Sequence, residues 1–334
     1  MIDRRRLLTA SGAVLLPAAS SRAQPRPEIR IARIQGVNFL PTYLMQRRNL
    51  VEAQAERLGV PGARVEWIDF PGGGNATDAM LAGSVDVVNA GPGNLLLLWD
   101  RTRGGVKGIV SNSALPAVLV TRDPRLHDIR DYGPDDRIAV PTVLVSTQAI
   151  LLEIAAERAY GADQWRRLNA NAVQLGHGDA YGAMMNPSHE IRSHFASPPF
   201  ITRELRDVPG AHVVTSSADI LGSPLSSAIM FTTTRFAGQQ PALVRAVAAA
   251  SADAIAAIRA DPEQAAQDYL EISHDRLAKA ELAALLRQPD MVFDVKPEGT
   301  LRFAEFLNHV GTLRTIPHAW TDYFLPDAAA LRGS

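Results

Sequence analysis

The chain has 334 residues, 46% hydrophobic and 21% charged, with a formal net charge of −1 and no cysteine. That length buries substantial cores and suits two domains. The charge balance lacks the basic excess of a nucleic-acid binder. The missing cysteines exclude disulfides, a thiolate nucleophile, Cys-ligated zinc and a lipid-modified N-terminal Cys.

The first 23 residues read as a targeting segment rather than fold. Arg4, Arg5 and Arg6 precede Leu7 and Leu8, which resembles a twin-arginine export signal. The apolar run Ala10–Ala19 is too short for a permanent membrane anchor, and Ser21-Arg22-Ala23 is a small-x-small cleavage site. A mature chain beginning at Gln24, with a net charge near −4, is therefore expected in a bacterial periplasm. No later apolar stretch is expected to span a bilayer.

Glu28–Ile34 alternates and predicts the first strand, followed by the loop Gln35–Pro41 and one amphipathic helix over Thr42–Leu58, ended by Gly59. Val65–Phe70 is a strand, Pro71–Gly74 a glycine turn, Ala76–Leu81 a helix, Val85–Asn89 a strand and Ala90–Asn94 a second glycine and proline turn. This βαβ unit predicts two parallel, neighbouring strands, with both turns at the strand ends where α/β sheets bind ligands. A helix from Leu95 and a strand Val106–Val110 complete this half, and Arg122–Asp136 is an irregular connection.

The alternation then restarts. Arg137–Val140, Ala172–Leu175, Glu190–His194 and His212–Thr215 read as strands; Ala149–Tyr160, Asp179–Met185 and Thr202–Arg206 read as helices. Helices over Pro241–Arg259, from Asp261, over Arg276–Leu286 and over Glu298–Val310 form the tail, the second with an Asp cap and Pro at its first position. Two apolar runs, Pro116–Thr121 and Ser223–Thr233, bracket the middle unit as hinge crossings. The organisation is a signal over 1–23, a first lobe of 24–116 with 226–334, and a second lobe of 117–225. Ligands should sit between the lobes.

On four pieces the chain resembles the periplasmic substrate-binding proteins of ABC importers, in the nitrate, taurine and alkanesulfonate branch that shares its fold with thiamine-precursor-binding proteins. They are Gly36–Tyr43, Asp78–Val87, Arg137–Thr147, and His177–Ala180 with Glu190–Phe200. The resemblance implies a two-lobed α/β fold of periplasmic-binding-protein type II, each lobe a doubly wound sheet flanked by helices. It also implies an anionic small-molecule solute, a permease and ATPase complex at the inner membrane as partner, no cofactor, and a monomer. The chain departs from the pattern at Ser188, where a glycine is usual. It departs again at Ser193–Phe200, which brings a His, a Phe and a Pro-Pro corner toward the cleft. A simple inorganic anion such as nitrate needs none of these.

In the first lobe the candidate ligand residues are Asn38 and Phe39, then Gly73, Gly74 and Asn75, then Gly91, Pro92, Asn94 and Asn112. Strand-end glycines let backbone N–H groups meet an anion at a helix start. In the second lobe they are Thr142, Ser146 and Thr147 at a helix start, then His177, His194, Phe195 and Ser197. Arg192 is the obvious cation, and Phe195 and Phe200 could stack on an aromatic ligand. The histidines lack HxH or HExxH spacing, so no metal is expected. No GxSxG is present, so no catalytic residue is assigned. The alternatives are an enzyme on the same fold, acting on a small sulfur- or pyrimidine-type substrate, and a sensory receptor.

Overall fold

The structure, a computed structural model, describes residues 27–144 and 146–334. The export signal and cleavage site lie outside the described residues.

The first part runs β1 (Glu28–Ile34), α1 (Leu40–Arg47), α2 (Leu50–Arg57), β2 (Arg64–Phe70), α3 (Gly73–Leu81), β3 (Val87–Ala90), α4 (Pro92–Arg101) and β4 (Val106–Ser113). The expected single helix over 42–58 is two, because Asn49 takes a left-handed φ of 50° between them. Asn tolerates that conformation better than most residues. β2 and β3 are not neighbours as expected: β1 lies between them, parallel to both.

The middle part runs β5 (Val118–Thr121), β6 (Ile138–Val140), α5 (Thr147–Tyr160), β7 (Ala172–Gln174), α6 (His177–Met185), β8 (Ser193–Ala196), α7 (Phe200–Asp207), β9 (His212–Ser216) and α8 (Ser217–Leu221). The last part is β10 (Ala228–Thr233), α9 (Thr234–Gln239), α10 (Pro241–Ala260), α11 (Pro262–Ser273), α12 (Lys279–Leu286) and α13 (Thr300–His309).

These strands form two five-stranded sheets, ordered β2-β1-β3-β10-β4 and β7-β6-β8-β5-β9. The chain passes between the sheets after β4 and again after β9. The two apolar runs read as crossings are therefore mostly core strands that begin beyond the crossing. β5 lies antiparallel between β8 and β9, and β10 lies antiparallel between β3 and β4. Their continuous apolar character follows from burial on both faces, as Val118–Thr121 are all buried.

α10 is 20 residues long and apolar enough, by length and composition, to cross a membrane. Here it is a core helix instead: Leu243, Val247, Ala250 and Ala254 are fully buried, within a cluster that also holds Val51 and Ala55 of α2 and Ala265 and Tyr269 of α11. The α11 start behaves as its sequence predicts, with the Asp261 carboxylate accepting from the Gln264 N–H at 2.9 Å.

Candidate functional site

A cleft of about 840 Å³ opens between the two sheets. It is lined by the residue runs 34–39, 71–74 and 90–91 on one side and 141–142, 146–148, 176–178 and 197–200 on the other. A cavity of this size has room for a small organic molecule.

The cleft's electrostatics come from helix starts. α3, α4, α6 and α7 all begin at it, with Gly73, Gly91, His177 and Phe200 on its wall. None of the four has a side chain capping its first turn. Among the described residues the N–H groups at the starts of α3 and α6 are free, whereas the Phe200 and Ile201 N–H groups of α7 donate to the Ser197 carbonyl and α4 begins at Pro92, so those two ends act chiefly through their dipoles. Each helix start favours an anion by about 0.3–1 kcal/mol. α5 also begins there but is capped: Ser146 accepts from the Ala149 N–H at 3.2 Å and donates to the Thr142 carbonyl at 2.7 Å. Its hydroxyl is committed to the helix.

Eleven of the sixteen expected residues line the cleft. In the first lobe these are Asn38, Phe39, Gly73, Gly74, Gly91 and Asn94. Asn38 Oδ1 is buried with no partner among the described residues. A Cβ at Gly73 would stand 2.7 Å from Asn94 Oδ1, so only glycine admits that amide beside the α3 start. A Cβ at Gly91 would stand 2.9 Å from Thr147 Oγ1 of the other side, so the two walls touch here. In the second lobe Thr142, Ser146, Thr147, His177 and Ser197 line the cleft.

The other five do not. Asn75 is exposed on the outside of the first turn of α3, because that helix starts at Gly73 rather than at Ala76. Pro92 is buried as the first residue of α4. Asn112 is buried inside β4, which runs on to Ser113, and both its amide atoms lack partners among the described residues. His194 and Phe195 lie inside β8 rather than at a strand tip, because that strand spans 193–196 instead of 190–194. Both are fully buried, and Phe195 belongs to the core. Arg192 also fails as the receiving cation. It pairs with Asp123 at 3.3 Å, away from the cleft, and Asp123 is held down at about 2 chiefly by its hydrogen bonds to Arg125.

The cleft contains residues the sequence did not single out. Arg203 reaches it from α7 and pairs with Glu281 of α12 at 3.1 Å, while Arg206 stands 3.6 Å from the same carboxylate. This bridges the two sides at the mouth. Arg276 lies on the opposite wall. Gln148 donates to the Ser197 hydroxyl at 2.8 Å, and Tyr181 donates to Asp207 at 2.9 Å. Arg203 follows the Pro-Pro corner by one helical turn; extending the expected helix back to Phe200 would have brought it to the cleft. His177 stacks on Phe200, with ring centroids 5.8 Å apart.

Two mixed α/β sheets, joined by two crossings around a cleft fed by helix starts, define the periplasmic-binding-protein fold, and comparison with solved structures agrees. The chain is similar to the periplasmic aliphatic sulphonate binding protein SsuA of Escherichia coli, at 16% identity and TM-score 0.68, covering 90% of this chain and 92% of that one. It is similar to the alkanesulfonate-binding protein SsuA of Xanthomonas axonopodis pv. citri bound to MOPS, at 18% identity and TM-score 0.66, covering 92% and 98%. The periplasmic nitrate-binding protein NrtA of Synechocystis PCC 6803 matches at 10% identity and TM-score 0.62, covering 91% and 84%. At these identities the likeness establishes the fold. No protein-family profile and no curated protein sequence matches the chain.

Proposed function

We propose that this chain is the exported solute-binding component of an ABC importer, capturing a small organic sulfonate or carboxylate and delivering it to a membrane permease. The observation that carries the reading is the convergence of four uncapped helix starts on one cleft. Apolar walls from Val37, Phe39, Pro71, Leu115 and Leu151 surround those donors and fit an aliphatic or aromatic body behind the anionic head. Arg276 adds a cation on the wall, while Arg203 stands at the mouth paired with Glu281. The sulfonate-binding proteins among the structural neighbours support the same ligand class.

In this reading the lobes are 24–116 with 226–334 and 117–225, the signal is cleaved near Ala23, and the protein acts as a monomer that binds without turnover. Among the proposed ligand contacts, Gly73, Gly74, Gly91, Thr147 and His177 are central, with Asn38, Phe39, Asn94, Thr142 and Ser197 around them. Thermal shift against sulfonates, carboxylates, neutral sugars and cationic amino acids tests it, because a ligand bound by the native state raises Tm. Stabilisation by sulfonates or carboxylates is expected. Stabilisation by sugars or cationic amino acids alone would refute it, as would consumption of the bound anion seen by mass spectrometry.

A further inference from the structure

Behind the second-lobe wall three titratable groups form a chain. His177 Nδ1 lies 2.8 Å from His194 Nε2, and His194 Nδ1 lies 2.5 Å from Glu204 Oε1. His194 and Glu204 are fully buried. The second Glu204 oxygen is buried with no partner among the described residues, which is a poor setting for a full carboxylate charge. Only His177 of the three reaches the cleft, and its Nε2 makes no hydrogen bond among the described residues.

Two hydrogen bonds in series leave two proton arrangements. With one proton shared by Glu204 and His194, the His194 Nε2–H donates to His177 Nδ1, and His177 then carries its own proton on Nε2, toward the cleft. This holds whether the shared proton sits on the carboxyl or on the imidazole. Once that proton leaves to solvent, Glu204 accepts from the His194 Nδ1–H. His194 Nε2 then accepts from the His177 Nδ1–H, and His177 offers the cleft a lone pair.

We infer that His194 and Glu204 are positioning residues that hold His177 as a hydrogen-bond donor and thereby select ligands presenting an oxyanion acceptor. This rests on the reading of the cleft as an anion receptor and names the device that enforces it. Burial pushes the Glu204 carboxyl up to about 8 and both imidazoles down to about 3, which keeps the shared proton in place at neutral pH.

The charges around Glu204 are otherwise engaged. On α6, Tyr181 donates to Asp207, and Asp179 sits in that helix's first turn. On α7, Arg206 pairs with Asp207, and Arg203 pairs with Glu281 of α12. β5 contributes only Val118 and Val120 to this side. On the far cleft wall His274, Asp275 and Arg276 remain.

The test has a ligand-free arm and a binding arm. Nitrogen-15 histidine NMR on the ligand-free protein should show His177 protonated at Nε2 at pH 7 and at Nδ1 above about pH 8.5. Glu204→Gln, whose amide donates to His194 at every pH, should hold the Nε2 form throughout. Calorimetry with MOPS as probe, in a non-sulfonate buffer, should show wild-type affinity falling about tenfold or more from pH 7 to pH 9, the scale of a lost charge-assisted hydrogen bond. Glu204→Gln should bind with little change over that range, which separates the relay from His274. If the variant fails to fold, the wild-type spectra alone decide. His177 found protonated at Nδ1 at pH 7, or a wild-type profile shared by Glu204→Gln, overturns the inference. If no sulfonate or carboxylate binds at any pH, the proposed function falls, while the spectra still judge the relay.

Discussion

Gly74 separates the electrostatic account of the cleft from a steric one. It is the second residue of α3, lines the cleft, and has no atom within 4 Å of where a Cβ would lie. Gly74→Asp therefore adds a carboxylate without a clash, and the same charge acts twice with opposite sign. At a helix start it gains about 0.3–1 kcal/mol from the dipole, and replacing Gly inside the helix gains a few tenths more. The sum of about 0.5–1.5 kcal/mol raises the ligand-free Tm by roughly 1–5 °C. Toward a bound anion about 6 Å away it costs about 0.7–2.8 kcal/mol for an effective dielectric between 80 and 20, so affinity drops about three- to hundredfold. Calorimetry with MOPS and a thermal melt read the two effects. Gly74→Asn, of the same shape without the charge, should stay close to wild-type affinity. If Gly74→Asp binds the anion as tightly as wild type, or if the Asn variant loses as much, the helix-start account of the site is wrong.

Other expectations follow from single contacts. Arg203→Gln removes a half-buried ion pair that spans the two sides, worth about 0.2–1 kcal/mol after solvent screening, so stopped-flow should show MOPS leaving about 1.4- to fivefold faster, while Arg192→Gln changes nothing. Phe195→Ala should cost about 3–5 kcal/mol in urea unfolding, yet leave Kd of the folded fraction unchanged, because the ring is core and not cleft. The relay also predicts a stability maximum. His177 and His194 have pKa values below their unfolded values, so between about 3 and 6.5 the unfolded chain binds more protons and stability falls as pH falls. Glu204 has a pKa above its unfolded value, so between about 4.5 and 8 the folded chain holds the extra proton and stability falls as pH rises. Two histidines outweigh one glutamate below about pH 6.5 and drop out above it. The relay's contribution thus peaks near pH 6.5, with an alkaline slope of at most about 1.4 kcal/mol per pH unit that Glu204→Gln should remove.

What the sequence disclosed well was periodicity and punctuation. β1 falls on its expected residues because buried Ile29 and Ile31 flank half-buried Arg30, and the glycine turns fall at strand ends because helices must start there. It disclosed pairing poorly. That β1 separates β2 from β3, and that β10 returns antiparallel into the first sheet, are long-range choices no local pattern records. Site residues failed where an element end was misplaced by two or three residues. A strand assigned to 190–194 exposes His194 at its tip, whereas the strand at 193–196 buries it behind His177. The same kind of error hid Arg203, since a helix beginning at Thr202 offers no reason for its second residue to face the cleft. Ion pairs misled as well: nothing local shows that Arg192 is taken by Asp123 while Arg203 stands at the mouth.

The two sides of the cleft do different work. The first side offers mainly backbone: Gly73, Gly74 and Gly91 lie at helix starts, and a side chain at Gly73 or Gly91 would collide with Asn94 or Thr147. Backbone donors recognise negative charge but cannot tell one oxyanion from another. The second side offers side chains with a definite shape and proton state: Thr147, His177 backed by its buried pair, Tyr181, Phe200 and Arg203. Discrimination among anions should therefore reside in the 177–203 wall, and charge selection in the 73–91 wall. Substitutions on the first wall should shift affinity for all anions together, while those on the second should reorder them.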